Sequence, residues 1–221
     1  MYDLIILTTA IDRPELHSKT LKPFLDDLKK QNISFLWIVN LDVVSGNLKS
    51  SLDNFYDFEV DNMSFHVSES PCFKKASEYV IKSCKVHLDD LKDGGKVFWL
   101  EDDWDYNIKF DIKKLIYTNY EYIGFHFHHL FEFSLNPTMW SKDFFSNNVY
   151  QPFKENQELV DPEKLLIDYH KSRKIIDHNH FKSVNKIAFN GVFKDAGRKW
   201  IKDTRLVKWN KNTINSNISY A

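Results

Sequence analysis

Short apolar runs alternate with segments of helical periodicity in the first half of the sequence, and this alternation strongly limits the possible folds. Residues 4–7 (LIIL) and 34–40 (SFLWIVN) have the composition of strands that are buried on both faces. Between them, the apolar residues at positions 16, 21, 24, 25 and 28 follow the spacing of an amphipathic helix. A strand, a helix and a second strand at this spacing form a βαβ unit, which pairs its two strands in parallel.

The same pattern recurs downstream and predicts an α/β protein with an open sheet. It gives a short strand at 65–67, a helix at 71–85, a turn at 93–95 and a fourth strand at 96–100. The second half is less regular. There, residues 122–127 and 131–135 resemble strands, and Asp161 followed by Pro162 marks the start of a helix. No linker or repeat interrupts residues 1–209, so we expect one domain followed by a polar tail at 210–221.

Composition and charge exclude several classes of protein. The 30 basic and 31 acidic residues leave a net charge of -1, so no basic surplus indicates nucleic acid or an anionic membrane as a partner. Two cysteines are too few for a disulfide framework or a zinc cluster. No apolar run approaches the ~18 residues of a membrane span, and no basic segment precedes the first apolar run. We therefore expect a soluble cytoplasmic protein without a signal peptide.

Polar residues follow three of the predicted strands, at 8–13, 40–42 and 101–105. Ligands of open parallel sheets bind beyond the carboxyl ends of the strands, so these residues are candidates for a binding site. The third group is acidic and contains Glu101, Asp102, Asp103 and Asp105. Crowded carboxylates repel one another, and a divalent cation such as Mg²⁺ or Mn²⁺ relieves that repulsion. A solvated acidic loop is the alternative.

Two of these segments resemble the nucleotide-sugar glycosyltransferases of the GT-A fold. The resemblance rests on two motifs, each of which begins at the end of a predicted strand. The first strand ends in TTAIDRPE at residues 8–15, and the fourth strand ends in LEDDW at residues 100–104. Weaker similarities follow at 134–140, 161–163 and 193–200. The resemblance implies a single GT-A-like domain with a mixed, mostly parallel sheet flanked by helices. It also implies a nucleotide-binding half at about 1–105 and an acceptor-binding half at about 106–209.

The resemblance implies a metal site of the Asp-X-Asp type in the acidic stretch. Asp103 matches the carboxylate that contacts Mn²⁺ or Mg²⁺, and Asp105 is the alternative because residues 103–105 also have the Asp-X-Asp pattern. Asp102 and Glu101 match neighbours that contact the ribose or a metal-bound water. A C-terminal histidine completes the metal shell in some members, which makes residues 178 and 180 further candidates.

The resemblance also places nucleotide-sugar contacts at the end of the first strand. Arg13 resembles a residue that contacts the base or a phosphate, and Thr8 and Thr9 line the nucleotide site. A cationic partner for a diphosphate is physically reasonable, because charged hydrogen bonds to phosphate are strong. A surface ion pair of Arg13 with Asp12 or Glu15 is the alternative.

Three other segments contribute expected donor contacts. Asp42 resembles the acid that reads the edge of a uracil-like base, although turn formation or helix capping also explains an aspartate there. Lys75, with its neighbour Lys74, opens the helix before the fourth strand, where related enzymes place a basic residue toward the donor. Arg198 is expected to approach the diphosphate, and an exposed surface arginine is the alternative.

Transfer of a sugar to a hydroxyl requires a group that takes the proton of that hydroxyl. Glu163 and Asp161 are the candidates for this carboxylate base in an inverting reaction, with Asp161 also suited to cap its helix. The expected partners are a UDP- or GDP-linked sugar and a carbohydrate or other hydroxyl acceptor. A nucleotidyltransferase acting on sugar phosphates remains open, although residues 8–14 lack the glycines of its usual phosphate loop. A non-catalytic nucleotide- or carbohydrate-binding module is the third possibility.

Overall fold

The structure is a computed structural model that describes residues 1–68, 71–125, 133–156, 160–177, 180–181 and 184–204. Its first half contains β1 (Tyr2–Ile11), α1 (Pro14–Lys30), β2 (Phe35–Asp42), α2 (Leu48–Asp57), β3 (Met63–Ser68), α3 (Phe73–Val86) and β4 (Leu91–Trp99). Its second half contains β5 (Trp104–Tyr106), α4 (Ile112–Ile116), β6 (Tyr122–Gly124), β7 (Thr138–Ser141), α5 (Lys142–Phe144), α6 (Gln151–Glu155), α7 (Pro162–Ser172), β8 (Ile176–Asp177), β9 (His180–Phe181), β10 (Lys186–Ala188), β11 (Phe193–Asp195) and α8 (Gly197–Thr204).

Seven strands form the central sheet in the order β10-β6-β7-β4-β1-β2-β3. β1 pairs in parallel with β2 and β4, and β2 pairs in parallel with β3. β7 is antiparallel to both β4 and β6, and β10 is parallel to β6. The sheet is therefore mixed and mostly parallel, as predicted, and the carboxyl ends of β1, β2 and β4 lie at one edge.

The core lies on both faces of this sheet, which explains the continuous apolar runs. Leu4 and Ile6 of β1 face a cluster that contains buried residues of α1, α2 and α4. Ile5 and Leu7 face the opposite cluster, which contains residues of α3, α5 and α7. All four side chains are fully buried, and burying such a side chain contributes about 1.5–3 kcal/mol. The helices thus cover the sheet on two sides and leave its carboxyl edge for the site.

Several local predictions differ from the structure. The predicted strand at 131–135 is wrong for residues 133–135, which are irregular, and the strand begins at Thr138 instead. The predicted turn at 93–95 lies inside β4 as a bulge, because Tyr2 is opposite Leu91 whereas Leu4 is opposite Lys96. Gly94 has a φ of +77° there, which other residues rarely adopt. Helix α2 was not predicted.

Some expectations lie outside the described residues. These are the tail at 210–221, the parts of the two predicted strands at 126–127 and 131–132, and His178, together with the side chain of His180. Within the described ranges, no helix combines the length and apolar character that crossing a membrane requires.

Candidate functional site

The candidate site lies at the carboxyl edge, where the chain leaves β1 and β4. β1 ends at Ile11 and turns through Asp12 and Arg13 into α1. β4 ends at Trp99, and the acidic stretch follows directly. Because β1 and β4 are neighbours in parallel, the two polar segments meet in space. Contacts of Arg13 with Asp102 and Asp103 join the two segments.

Arg13 and Asp102 form a buried ion pair at the centre of the site. Nε of Arg13 donates to Oδ2 of Asp102 at 2.8 Å, and Nη2 donates to Oδ1 at 2.6 Å. Neither side chain is exposed to solvent. Burial disfavours the charge of Arg13, but the carboxylates of Asp102 and Asp103 raise the pKa of its guanidinium well above the ordinary value. The alternative of a surface ion pair with Asp12 or Glu15 is wrong.

Asp102 also makes contacts with other residues of the protein. Its Oδ2 accepts a hydrogen bond from the backbone N–H of Ile11 at 3.2 Å, and its carbonyl accepts one from the hydroxyl of Thr20 at 2.6 Å. Nε2 of His17 lies 3.4 Å from Oδ2. Asp102 therefore fixes the guanidinium of Arg13 against the ends of β1 and β4.

Asp103 lies beside this pair and close to the start of α8. Nη2 of Arg13 is 3.0 Å from Oδ2 of Asp103, whose side chain is 13% exposed. The backbone N–H of Ala196 donates to the Asp103 carbonyl at 2.8 Å. A Cβ at Gly197 would lie 2.5 Å from Oδ2 of Asp103, so any larger residue there would displace this carboxylate. Trp200 of α8 covers Arg13, with Cζ 5.1 Å from the ring centroid.

Asp105 is the second candidate metal ligand, and it lies in β5. β5 pairs with β11, so the segment after the acidic motif is joined to the segment that leads into α8. Nζ of Lys19 is 3.4 Å from Oδ2 of Asp105, and the two side chains are 59% and 20% exposed. Asp105 is thus more accessible than Asp102 and lies at the rim of the cluster.

The side chains of this cluster offer few oxygen donors to a divalent cation. Both oxygens of Asp102 contact Arg13, and among the residues that the structure describes no three acidic, histidine or cysteine side chains are grouped to hold a metal. Asp103 and Asp105 remain as partly exposed hard-oxygen donors. Mg²⁺ commonly binds through one or two carboxylates together with substrate phosphates. The residues therefore fit a cation that is shared with a phosphate-bearing substrate, and they do not form a complete protein cage.

Asp12 is a structural residue of this edge that the sequence reading did not identify. Its Oδ1 accepts hydrogen bonds from the N–H groups of Val44 and Ser45, both at 2.6 Å, and its Oδ2 accepts one from Asn47 at 2.7 Å. The carboxylate thus shapes the loop between β2 and α2. An aspartate next to a strand end was the only sequence signal, and its partners lie more than 30 residues away.

The threonines and Asp42 are buried in the structure. Oγ1 of Thr8 accepts a hydrogen bond from Nε1 of Trp37 at 2.9 Å, and Thr9 is fully buried. Asp42 is 1% exposed, and its carboxylate accepts hydrogen bonds from the Asn40 amide at 2.8 Å and the Cys72 N–H at 3.0 Å. Asp42 therefore joins the end of β2 to the start of α3 and does not cap the helix that follows it, whose N-cap is Asn47.

Of the two lysines at the start of α3, Lys75 is exposed and Lys74 is buried. Nζ of Lys74 lies 4.5 Å from the ring centroid of Phe153 and 3.4 Å from the carbonyl oxygen of Asn156, to which it donates. Burial lowers the pKa of the Lys74 ammonium. Lys74 thus connects α3 to the end of α6, whereas Lys75 projects into solvent.

The candidate bases occupy the first turn of α7. Asp161 caps the helix, because its Oδ1 accepts the N–H of Lys164 at 3.0 Å. Oε1 of Glu163 accepts hydrogen bonds from the hydroxyl of Ser134 at 2.6 Å and the N–H of Leu135 at 3.3 Å. Ser134 and Leu135 precede β7, whose first residue Thr138 is opposite Trp99 at the carboxyl end of β4. Glu163 is therefore held near the same edge of the sheet.

Two remaining candidates lie at the periphery. The Arg198 side chain is 90% exposed, and its Nε is 2.9 Å from Oδ2 of Asp195, which matches the surface alternative. Glu101 is partly exposed at the beginning of the acidic stretch. Neither contacts the Arg13 guanidinium in the described contacts.

Comparisons with known proteins identify the fold but not a family. No protein-family model matches the sequence, and no curated protein is significantly similar. The mannosyltransferase PcManGT from Pyrobaculum calidifontis, solved with GDP-Man and Mn²⁺, gives a TM-score of 0.55 at 10% identity, over 88% of this chain and 57% of that one. HddC from Yersinia pseudotuberculosis gives 0.50 at 13% identity, over 91% and 97% of the two chains. A nucleoside-diphosphate-sugar pyrophosphorylase from Vibrio cholerae gives 0.51 at 8% identity, over 88% and 95%.

These similarities and the strand order define the class of the protein. The chain has a GT-A-like fold of the nucleotide-diphospho-sugar transferase type, with a seven-stranded, mostly parallel sheet flanked by helices. Its ion-paired acidic cluster lies at the carboxyl edge of that sheet. The neighbours include a glycosyltransferase and a pyrophosphorylase, so the fold alone does not select the reaction.

Proposed function

We propose that the protein is a transferase that uses a nucleoside diphosphate sugar and moves the sugar to a hydroxyl acceptor. The observation that carries this proposal is the cluster of Arg13, Asp102 and Asp103 beyond β1 and β4. A fixed guanidinium next to carboxylates suits a substrate that carries a diphosphate and a shared cation. Residues 1–105 provide this cluster, and residues 106–209 provide the acceptor side.

In this proposal, Asp103 and Asp105 hold a Mn²⁺ or Mg²⁺ ion together with the diphosphate. The cation supplies charge neutralisation for the departing nucleoside diphosphate. Arg13 acts from its buried position: its guanidinium holds Asp103 beside the phosphates, and Asp102 keeps the guanidinium in place through two hydrogen bonds. The PcManGT structure, which contains both GDP-Man and Mn²⁺, supports the choice of substrate and ion.

Glu163 is the proposed base of an inverting reaction. Its carboxylate is fixed by Ser134 and Leu135 near the carboxyl edge, and its role is to accept the proton of the acceptor hydroxyl. Asp161 is proposed to act mainly as the helix cap. Lys75 and Arg198 remain proposed peripheral contacts to the donor, and buried Thr8, Thr9 and Asp42 would support the nucleotide pocket from beneath.

Donor binding tests the proposal through thermal stabilisation by UDP- and GDP-linked sugars with Mn²⁺. A ligand present at 100 times its Kd stabilises the fold by about 2.7 kcal/mol. Asp103→Asn should remove this stabilisation, since it deletes a charge but barely changes the shape. Asp57→Asn, at an exposed carboxylate that ends α2, is the matched control and should respond like the parent. Equal stabilisation of the Asp103 variant would move the site elsewhere.

A second pair of variants distinguishes the proposed catalytic base, Glu163, from the N-cap of the helix, Asp161. Glu163→Gln should lower the transfer rate by roughly 10²–10⁴-fold with unchanged donor binding. Asp161→Asn should preserve both stability and rate, because asparagine caps helices about as well as aspartate. Loss of transfer in Asp161→Asn with normal transfer in Glu163→Gln would reverse the assignment.

Nucleotidyl transfer is the second candidate, and the similarity to a pyrophosphorylase over 95% of that chain favours it. Pyrophosphate release from a nucleoside triphosphate and a sugar 1-phosphate distinguishes the two reactions. The absence of glycine from residues 8–14 favours glycosyl transfer. Donor binding without either reaction would indicate a non-catalytic binding module.

A further inference from the structure

A large cavity lies between α6 and α7, away from the ion-paired cluster. Its volume is about 890 Å³, and residues of both helices line it. A second cavity of about 360 Å³ shares Glu155 and Tyr169 with the first. The two spaces are therefore adjacent along α7, and we call them together the α6–α7 groove. Each lies within the range of roughly 300–1,000 Å³ that is common for ligand pockets.

The lining of the α6–α7 groove is rich in hydrogen-bonding side chains. The polar residues of the larger cavity are Glu155, Asn156, Lys164, Asp168, Tyr169 and Ser172. They offer carboxylate, amide, ammonium and hydroxyl groups, which both donate and accept hydrogen bonds. Pro152, Val160 and Leu165 supply apolar surface between them. A lining of this kind suits a ligand that carries many hydroxyl groups on an apolar ring.

The charges of the α6–α7 groove balance within the protein. Lys164 pairs with Asp168 one helical turn away, and Nη2 of Arg173 lies 3.7 Å from Oε1 of Glu155. Arg173 also covers the ring of Tyr169, with Cζ 5.0 Å from the centroid. Among the residues of the lining that the structure describes, two cations and two anions thus balance each other. The groove therefore favours a neutral ligand over a nucleotide, an acidic lipid or a charged peptide.

One end of the α6–α7 groove adjoins the carboxyl edge of the sheet. Lys74 at the start of α3 donates to the carbonyl of Asn156, which lines the groove. The start of α3 is itself joined to the end of β2 by the hydrogen bond between Cys72 and Asp42. On the other side, α7 carries Glu163 immediately before the groove residue Lys164. The groove thus extends away from the proposed base and donor site.

We propose that the α6–α7 groove binds a neutral oligosaccharide. The role of that oligosaccharide as the acceptor rests on the proposed function, whereas its binding does not. In this arrangement, the terminal sugar reaches the edge near Glu163, and the remaining sugar units lie along the face of α7 that carries Asp168 and Ser172.

Calorimetric titration of the full chain with maltohexaose, α-mannohexaose and triacetylchitotriose tests the proposal. At least one of these neutral probes should bind, and Ser172→Trp should weaken its binding about ten-fold or more by filling the groove. Ser172 is exposed near the end of α7, so the larger side chain leaves the core intact. Ser50→Trp, at an exposed serine of α2, is the matched control and should bind like the parent.

The contradicting outcomes are distinct. No binding of any of the three probes, or equal binding by Ser172→Trp and the parent, overturns the groove assignment. Binding of an acidic peptide or of anionic vesicles in place of the sugars also overturns it. Thermal stabilisation by nucleotide sugars is measured on the same samples. Donor binding without oligosaccharide binding rejects the groove alone, and oligosaccharide binding without donor binding rejects the proposed transferase function alone.

Discussion

Removal of Arg13 alone should destabilise the protein strongly. Arg13→Met deletes two hydrogen bonds to a carboxylate that is 0% exposed and removes the guanidinium that neutralises it. A hydrogen bond to a charged group contributes about 1.5–3 kcal/mol, so the two give about 3–6 kcal/mol. Breaking a buried ion pair from one side typically costs about 3–5 kcal/mol, which agrees. For a chain of this size, the melting temperature should fall by roughly 6–20 °C.

A double-mutant cycle isolates the pair. Asp102→Leu should cost less than Arg13→Met, because the guanidinium keeps Asp103 at 3.0 Å. The double variant, which leaves neither charge buried alone, should be more stable than the sum of the single effects predicts, with a coupling of about 2 kcal/mol or more. Urea unfolding followed by tryptophan fluorescence measures all four free energies. Single effects below about 1 kcal/mol that simply add would refute the claim that this ion pair is a buried, mutually dependent unit.

The other predictions concern the contact between Gly197 and Asp103, the buried His170, and the role of the Arg13 guanidinium in donor binding. Gly197→Ala should destabilise the fold by about 1–3 kcal/mol in urea unfolding. The same substitution should cost less in an Asp103→Ala background, which removes the Oδ2 atom that a Cβ would meet at 2.5 Å. Equal costs in both backgrounds would contradict the contact. Burial lowers the pKa of His170 to about 4, so between pH 6.5 and 4 the unfolded chain binds a proton that the folded chain does not, and stability should fall by up to about 3 kcal/mol. His170→Gln should flatten that part of the profile, and an unchanged slope would reject the assignment. Arg13→Lys should weaken nucleotide-sugar binding by roughly 1–3 kcal/mol in calorimetry despite its retained charge, because a single ammonium cannot copy the fork; parent-like affinity would remove Arg13 from donor binding.

The central strands could be predicted from sequence because they are buried on both faces. In a continuous apolar run such as 4–7, side chains on both faces of the strand are shielded from water only when both faces of the sheet are covered. The three-residue strands β5 and β11 have no such signature, since their pairing depends on a contact between residues about 90 positions apart. Helix α2 did have a signal in the sequence, which was not used. Leu48, Leu52 and Phe55 follow the spacing of an amphipathic helix and pack against the core.

The site was predictable in location but not in its internal contacts. The strand-end rule placed Arg13 near the acidic stretch, but the choice of Asp102 as its partner depends on side-chain directions that a sequence does not specify. The sequence did contain a signal for which of the two lysines of α3 is buried. Lys74 lies three and seven positions before the buried Ser77 and Ile81, which places it on the buried face of the helix.

The contact of Gly197 with Asp103 had no local signal at all. The two residues are separated by more than 90 positions, and the Asp103 carboxylate occupies the space that a larger residue at position 197 would need. The same holds for Asp12, whose hydrogen bonds hold a loop that follows a different strand. Such residues are identified only when the sheet has brought distant segments together.

Binding of Mn²⁺ followed by electron paramagnetic resonance tests the central claim most directly. In the proposed site, Asp103 and the nucleotide share the cation, so free protein should bind Mn²⁺ weakly. Addition of GDP or UDP should then produce a bound signal that Asp103→Asn abolishes. Tight binding of Mn²⁺ without nucleotide would contradict the shared site. Absence of a bound signal with both nucleotides would contradict a diphosphate and metal site at the Arg13–Asp102–Asp103 cluster.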